Sequence, residues 1–317
     1  MNLPTPPILF IIFNRPDLTS RVFERIREQR PSQLFIAADG PRASKPDDFN
    51  RCYETREVTR NIDWPCEVHR LERDVNIGCK IGVSSAISWF FEHVEQGIIL
   101  EDDCLADASF FPYCSELLER FKNVNQVALI SGNNFQKVPY SESYYFTRHP
   151  LIWGWASWRR TWKLYDIEMK TWNGDPNSLR QSISNASVRR HFARRFNGVK
   201  FEGANTWAYP LTYCCFANHQ ICINPSRNLV ENIGFDERAT HTNSSSELKN
   251  MRQTSVAMKF PLHHPSSTSV DESADFYYET KVREIAPHFF AKLLRSIEKR
   301  TTTLKSIIRV LTKKCDN

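Results

Sequence analysis

Three consecutive carboxylates, Glu101, Asp102 and Asp103, follow directly on the apolar run Gly97-Ile-Ile-Leu100. An unbroken run of this kind suits a strand buried on both faces, and acids follow such a strand only where it emerges into a cleft. Ligands of open α/β sheets bind in the crevice beyond the carboxyl ends of the strands, and crowded carboxylates there suit a divalent cation. The plainer reading is helix capping, since acids ahead of a helix over 109–122 favour its dipole. Other groups along the chain suit a phosphorylated ligand. Asn14-Arg15 follows a first apolar run and Asp39-Gly40 a second, while Arg73, Asn76, Gly78 and Lys80 precede an apolar helix. A helix N-terminus with positive charge beside it favours phosphate. Asp39 equally suits the first position of a type I turn, and Asn76-Ile-Gly78 an ordinary turn. Trp153, Trp155, Trp158 and Trp162 fall within ten residues; indole faces stack on sugars, although core packing is the plainer reading for any one of them.

These residues need elements to position them. Residues 7–13 read as a buried strand, followed by a turn into a helix that ends near Arg30-Pro31. A second strand over 33–40 ends in Asp-Gly-Pro, a turn signal. The pattern continues with a helix over 47–61, a strand over 67–73, a helix over 81–94, the strand that carries the acids, a helix over 109–122 and a strand over 127–131. Strands alternating with helices of this length predict parallel βαβ units, so residues 1–135 read as a doubly wound, nucleotide-binding half. Beyond Phe135 the pattern changes. The tryptophan-rich stretch reads as a loop around Gly154, followed by short helical pieces to about Asn197, an apolar helix over 205–218, a strand within 221–230 and a polar loop over 236–258.

The formal charge of +6 is not spread evenly: residues 286–317 carry eight basic side chains against two acidic ones, so the remainder is neutral. This argues against a nucleic-acid surface and for one basic tail. In that tail Phe290, Leu293, Leu294, Ile297, Leu304, Ile308 and Leu311 are spaced as one helical face, with basic residues opposite. The pattern points to peripheral contact with an anionic membrane. No run is long enough to span a bilayer, and the 8–13 run lacks the basic leader of a signal peptide. The nine cysteines include no CxxC pair and several sit in apolar stretches, which suits a reducing cytoplasm, at the inner face of the membrane if the tail binds there.

The order of these signals resembles a known family. Phe13-Asn-Arg-Pro16 after a strand, Ala38-Asp-Gly-Pro41 after another, Arg73-Asp-Val-Asn-Ile-Gly78, and Leu100-Glu-Asp-Asp103 resemble the GT-A nucleotide-diphospho-sugar glycosyltransferases. Within them the chain resembles a bacterial family 2-type branch related in fold to N-acetylglucosaminyltransferase I. The likeness continues through Trp153-Gly-Trp155, Asn205-Thr-Trp207, Asn232-Ile-Gly-Phe235 and Ala239-Thr-His-Thr242, and so covers residues 8–242. It implies an α/β fold with a Rossmann-like, mostly parallel central sheet and helices on both faces. Residues 1–135 would form the nucleotide-sugar half of one GT-A domain, 136–260 its acceptor half, and 261–317 a C-terminal helical extension.

The resemblance also implies roles. Asp103 would ligate Mn²⁺ or Mg²⁺, and His241, ordinarily just a solvated histidine in so polar a stretch, would return to the metal or the diphosphate. Asp102 and Glu101 would contact ribose or order metal-bound water; Phe13, Asn14, Arg15, Asp39 and Gly40 would line the base and ribose pocket, with Arg73, Asn76, Gly78 and Lys80 on the phosphates or the donor sugar. Trp153, Trp155 and Trp207 would meet the acceptor, a glycan or a lipid-linked hydroxyl of bacterial surface polysaccharide assembly, with UDP as the favoured donor nucleotide. Transfer with inversion needs a general base. Relatives commonly show Thr-Trp-Asp where this chain has Thr206-Trp207-Ala208. Glu202 and Asp236 are the substitutes, with Glu231 a further acid. Ala208 also admits a protein that binds donor or carbohydrate without efficient transfer. A sugar nucleotidylyltransferase would carry a glycine-rich loop after its first strand, and Phe13-Asn-Arg-Pro-Asp17 has no glycine; a dinucleotide-binding dehydrogenase would show G-x-G-x-x-G there.

Overall fold

The computed structural model describes residues 3–137, 139–235 and 253–285. Strand β1 (Ile8–Ile12) is apolar throughout because it is covered on both sides: Ile8, Phe10 and Ile12 enter one core and Leu9 the other. Pro16 then opens α1 (Pro16–Gln29), where its fixed φ suits the first turn, and Arg30 in the left-handed region ends it. The chain continues through β2 (Gln33–Ala38), α2 (Asp48–Val58), β3 (Glu67–Glu72), α3 (Gly78–His93), β4 (Gln96–Glu101), the short β5 (Cys104–Ala106) and α4 (Phe110–Phe121) to β6 (Val127–Ser131). There follow β7 (Tyr144–Thr147), β8 (Trp155–Trp158), the single turn α5 (Arg159–Trp162), α6 (Ala186–Lys200), α7 (Ala208–Ala217), β9 (Ile221–Pro225), β10 (Val230–Asn232) and α8 (Glu272–Tyr277).

Eight strands form one sheet in the order β3-β2-β1-β4-β8-β6-β9-β7. Strands β3, β2, β1, β4, β6 and β9 share one direction, with β8 and β7 opposed. Helices α1 and α4 cover one face, where Val22, Phe23, Phe110 and Leu117 pack on Phe10, Ile36 and Leu100. Helices α3 and α7 cover the other, where Ile87, Phe90 and Leu211 pack on Phe35, Ile99 and Trp155. The expected α/β fold, a mostly parallel sheet between helical layers, is therefore present. The chain moves outward from β1 through β2 to β3 and then returns to the opposite side of β1 with β4. That reversal leaves a crevice between the loops that follow β1 and β4.

Several elements differ from expectation. Residues 153–158, read as a loop, contain β8, which lies antiparallel between β4 and β6 with Ile99 paired to Trp155. The sheet therefore continues across residue 135, joining strands from both halves. The strand expected within 221–230 is two: β9 in the sheet, and β10, which pairs with β5 as a separate ribbon. The helical pieces after Trp158 include a full 15-residue helix, α6, which forms a satellite core with Met169, Trp172 and Phe216. The helix expected from Asn205 starts at Ala208. Residues 253–285 lie against the β7 side of the sheet: Ser143 and His263 exchange hydrogen bonds, Arg148 pairs with Asp275 at 3.0 Å, and Asp271 caps α8 by accepting from Ser273 and Ala274. The polar 236–252 stretch and the basic tail from 286 lie outside the described residues. No helix among the described residues is long and apolar enough to cross a membrane.

Candidate functional site

The acids stand at the carboxyl end of β4, in register with the end of β1, where Ile11 pairs with Glu101. Asp102 turns back toward β1 and its Oδ2 accepts the Phe13 N–H at 3.1 Å, so the two strand ends are pinned together. Arg15, at the N-cap of α1, donates from Nη1 to Asp103 Oδ2 at 3.0 Å and lies 3.9 Å from Asp102 Oδ1. Its side chain is only 11% exposed. Burial, and after it the neighbouring carboxylates, pushes Glu101 up to about 8 and Asp102 up to about 7. Arg15 pairs with Asp103 and lies near Asp102, and the negative charge crowded here has little water to relieve it.

The ribbon of β5 and β10 supplies the wall of this cluster. Asn232 pairs with Cys104, Ile233 N–H donates to the Asp103 carbonyl at 2.8 Å, and Asn232 Oδ1 accepts the Gly234 N–H at 2.9 Å. The turn lays Gly234 directly on Asp103 Oδ2 and Arg15 Nη1, and a Cβ at this position would collide with both. Only glycine permits that approach. Phe235 then meets Trp153 edge to face, 5.5 Å between ring centroids, and Trp153 also contacts Phe135.

A second cluster lies beside the first, past the ends of β2 and β3. Asp39 N–H donates to the Ile12 carbonyl, which sets this residue next to Phe13. Its carboxylate accepts from Gly40 N–H at 3.0 Å, Ile77 N–H at 3.3 Å and Asn76 Nδ2 at 3.0 Å, while burial raises its pKa. Burial, and then Glu101 and Asp39, pushes the Cys79 thiol up to about 12. The loop was expected to offer a backbone N–H and positive charge to phosphate or the donor sugar; the N–H groups of Ile77, Gly78 and Lys80 have partners within the chain. Ile77 N–H goes to Asp39, Gly78 N–H to Asn76 Oδ1, and Lys80 N–H to Asn205 Oδ1 at 2.8 Å. Gly78, at φ +82°, lets Asn205 reach this helix start. Arg73 donates to Ser85 Oγ, and Lys80 pairs with the exposed Glu168 at 3.5 Å.

Asn14 is buried and donates to Asp48 Oδ1 at 2.8 Å, and Asp48 also takes the guanidinium of Arg42. That guanidinium stands 5.2 Å from the centre of the Phe13 ring. The Arg42 hydrogen bonds hold the Asp48 carboxyl below the usual range. Arg42, Asp48, Asn205 and Gly234 are thus parts of the region that residue type alone did not single out. Asn205 and Gly234 lie inside quoted motifs, but Asp48 reads only as an acid at a helix start.

Two of the three aromatic residues assigned to an acceptor are core residues instead. Trp155 and Trp207 are 1% and 3% exposed and stack on each other at 5.9 Å beneath α3 and α7. A ring face already covered by another indole cannot receive a sugar, whereas Trp153 keeps partial exposure. Trp158 is buried too, with its Nε1 donating to the Leu118 carbonyl. Glu202 lies exposed in the turn after α6, and Ala208 opens α7. Asp236 and His241 lie outside the described residues.

Among the described residues no group of three or more His, Cys, Asp and Glu side chains is arranged to hold a metal ion. The donor chemistry nevertheless suits a hard cation, because the oxygens are carboxylates in a poorly neutralised cluster. Asp103 would be its ligand from this chain, leaving other positions to substrate and water.

No family model and no curated protein sequence matches the chain. Among solved structures it is similar to a cytidylyltransferase from Leptospira borgpetersenii serovar Hardjo-bovis, at 13% identity and TM-score 0.31 over 50% of this chain and 63% of that one. It is also similar to HddC from Yersinia pseudotuberculosis (7%, 0.30, 49% and 77%) and to a UTP-bound UGPase from Acinetobacter baumannii (9%, 0.34, 69% and 85%). The chain spans less than two thirds of the length of the Leptospira protein.

Proposed function

We propose that the chain is a metal-dependent glycosyltransferase that moves a sugar from a nucleoside diphosphate to the hydroxyl of a glycan or lipid-linked acceptor, with inversion. The observation that carries this reading is the meeting of Asp102, Asp103 and Arg15 where the strand order reverses between β1 and β4. Mn²⁺ or Mg²⁺ at Asp103 would neutralise the diphosphate and the charge that grows on it as it leaves. Asp102 fixes the β1 end through Phe13 N–H, and the Arg15 guanidinium beside Asp103 would meet the donor phosphates. Phe13 and Arg42 would meet a flat, polar base, with the buried Asn14 and Asp48 holding Arg42 from behind. Trp153 and Phe235 give the acceptor an apolar edge.

The proton of the acceptor hydroxyl needs a base, and Ala208 supplies none. Glu202 and Asp236 are the proposed acids for this role. The same alanine favours a second reading, a protein that binds donor but transfers poorly. Incubation with a panel of nucleoside-diphosphate sugars and Mn²⁺ should release the nucleoside diphosphate, and Asp103→Asn should slow that release about 100-fold or more. Ala208→Asp should raise transfer if the missing carboxylate limits it. Formation of pyrophosphate from a nucleoside triphosphate and a sugar 1-phosphate, with no diphosphate release from nucleotide sugars, would overturn the reading in favour of a nucleotidylyltransferase.

A further inference from the structure

Helix α6 carries Arg189, Arg190, Arg194, Arg195 and Lys200 and no acidic side chain. Two of these cations are used inside the protein: Arg189 donates to the carbonyls of Ile183 and Ser184, and Lys200 to those of Met169 and Trp172. The other three stay at the surface. Arg190 donates to Ser187 Oγ and Arg195 stands 5.9 Å from the centre of the Tyr209 ring, but among the described residues no carboxylate pairs with Arg190, Arg194 or Arg195. Other arginines at the surface are matched, as Arg25, Arg60 and Arg159 are by Glu28, Glu57 and Glu95. Arg283 adds a further cation by donating to the Tyr209 hydroxyl at 3.3 Å. Enclosed here, His191 is pushed down to about 4, first by burial and then by Arg283, Arg195 and Arg194. The chain before residue 286 is formally neutral as a whole, so this is a local concentration of charge. Arg190, Arg194 and Phe201 follow at intervals of four and seven residues, which sets them on one face. Phe201 is 61% exposed, and Glu202 is the acid at this end of the face, near Gly198.

We infer that the outer face of α6 docks on an anionic phospholipid surface, with its arginines against the phosphates and Phe201 at the boundary with the acyl chains. Two observations favour lipid over another polyanion. An exposed aromatic in line with arginines suits a surface that is charged outside and apolar just beneath. Ile285 is buried in the satellite core under α6, so the stretch from 286, whose sequence sets basic against apolar residues, starts from this side of the fold. The folded part of the chain thereby shares a contact that the tail alone suggested.

Sedimentation of the full chain with vesicles of phosphatidylglycerol and phosphatidylcholine, and with phosphatidylcholine alone, tests it. Wild type should bind the anionic vesicles. Arg190→Gln/Arg194→Gln should lower that partition about tenfold or more, while Arg190→Lys/Arg194→Lys retains it. Phe201→Ser should lower it about fivefold. Equal binding by either folded variant overturns the docked face and leaves the tail as the contact. Absence of wild-type binding, or equal binding to phosphatidylcholine alone, overturns it too. Displacement of wild type from the vesicles by a duplex oligonucleotide at equal phosphate concentration overturns it in favour of a nucleic acid. Hydrogen exchange of wild type gives a reading that does not depend on the variants folding. Slower exchange over residues 197–204 on anionic vesicles supports the docking, and unchanged exchange there overturns it. Vesicle binding requires neither metal nor nucleotide, so its failure leaves the reading of the acidic crevice standing.

Discussion

At the scale of single residues, the candidate site is a problem of charge placed where water is scarce. Asp103 is answered by Arg15, while Glu101 and Asp102 are forced upward in pKa by burial and by one another. Asp48 shows the opposite arrangement: it is 3% exposed, takes Arg42 and Asn14, and is held below the ordinary carboxylate range. A carboxyl depressed in the folded state adds stability that is complete above its unfolded pKa of about 3.9 and vanishes as pH falls through the lower, folded value. Asp48→Asn should cost about 2 kcal/mol at pH 7 by leaving a guanidinium without its carboxylate. Urea unfolding from pH 7 to pH 3 should show the gap between wild type and variant closing at the acid end; a gap independent of pH would mean that the pair contributes nothing through its charge. Gly234→Ala should disturb the acid cluster itself, since the added methyl meets Asp103 and Arg15 together. A loss of about 1–3 kcal/mol and of metal binding is expected from such overpacking; a crystal structure or Mn²⁺ titration showing the pair undisturbed would contradict the close approach.

At the scale of elements, helix α3 shows how a local signal is completed from far away. Its N-cap, Ile77, contributes no side-chain cap, and the Lys80 N–H is satisfied by Asn205, 125 residues later in the chain. Asn205→Ala should cost about 1 kcal/mol, as loss of a helix cap does, and hydrogen exchange should speed up at Lys80; protection unchanged there would show another group takes over. This is also where sequence reading reached its limit. The apolar runs of β1, β2 and β4 were legible because strands buried on both faces need no alternation. Trp155-Ala-Ser-Trp158 gave no such signal: it has no β-branched residue, and its partners β4 and β6 come from distant parts of the chain. The three-residue strands β5 and β10 are too short to show any period. In the site, the contiguous acids announced themselves, whereas Gly234 and Asp48 acquire meaning only from what folding places against them.

At the scale of the whole molecule, one sheet with helices on both faces brings the ends of β2, β1 and β4 to a single edge, and the ribbon of β5 and β10 folds the later chain over it. The tryptophans divide accordingly. Trp155 and Trp207 join the sheet to α7 inside the second core, and Trp153 stands at the edge with Phe235. Trp207→Ala should cost about 3–5 kcal/mol in urea unfolding, as removal of a buried indole does, while Trp153→Ala should leave donor binding intact; the reverse pattern would return Trp207 to the ligand. The central claim, that this edge holds a metal and a nucleoside diphosphate together, is tested most directly by thermal unfolding with a panel of nucleotide sugars, each with and without Mn²⁺. A ligand that binds only the folded chain raises its midpoint, by about 5 °C at a hundredfold excess over Kd. The account predicts a rise that requires both Mn²⁺ and one class of nucleoside-diphosphate sugar and is lost in Asp103→Asn. No rise with any donor, or a rise indifferent to Mn²⁺ and to Asp103, would contradict it.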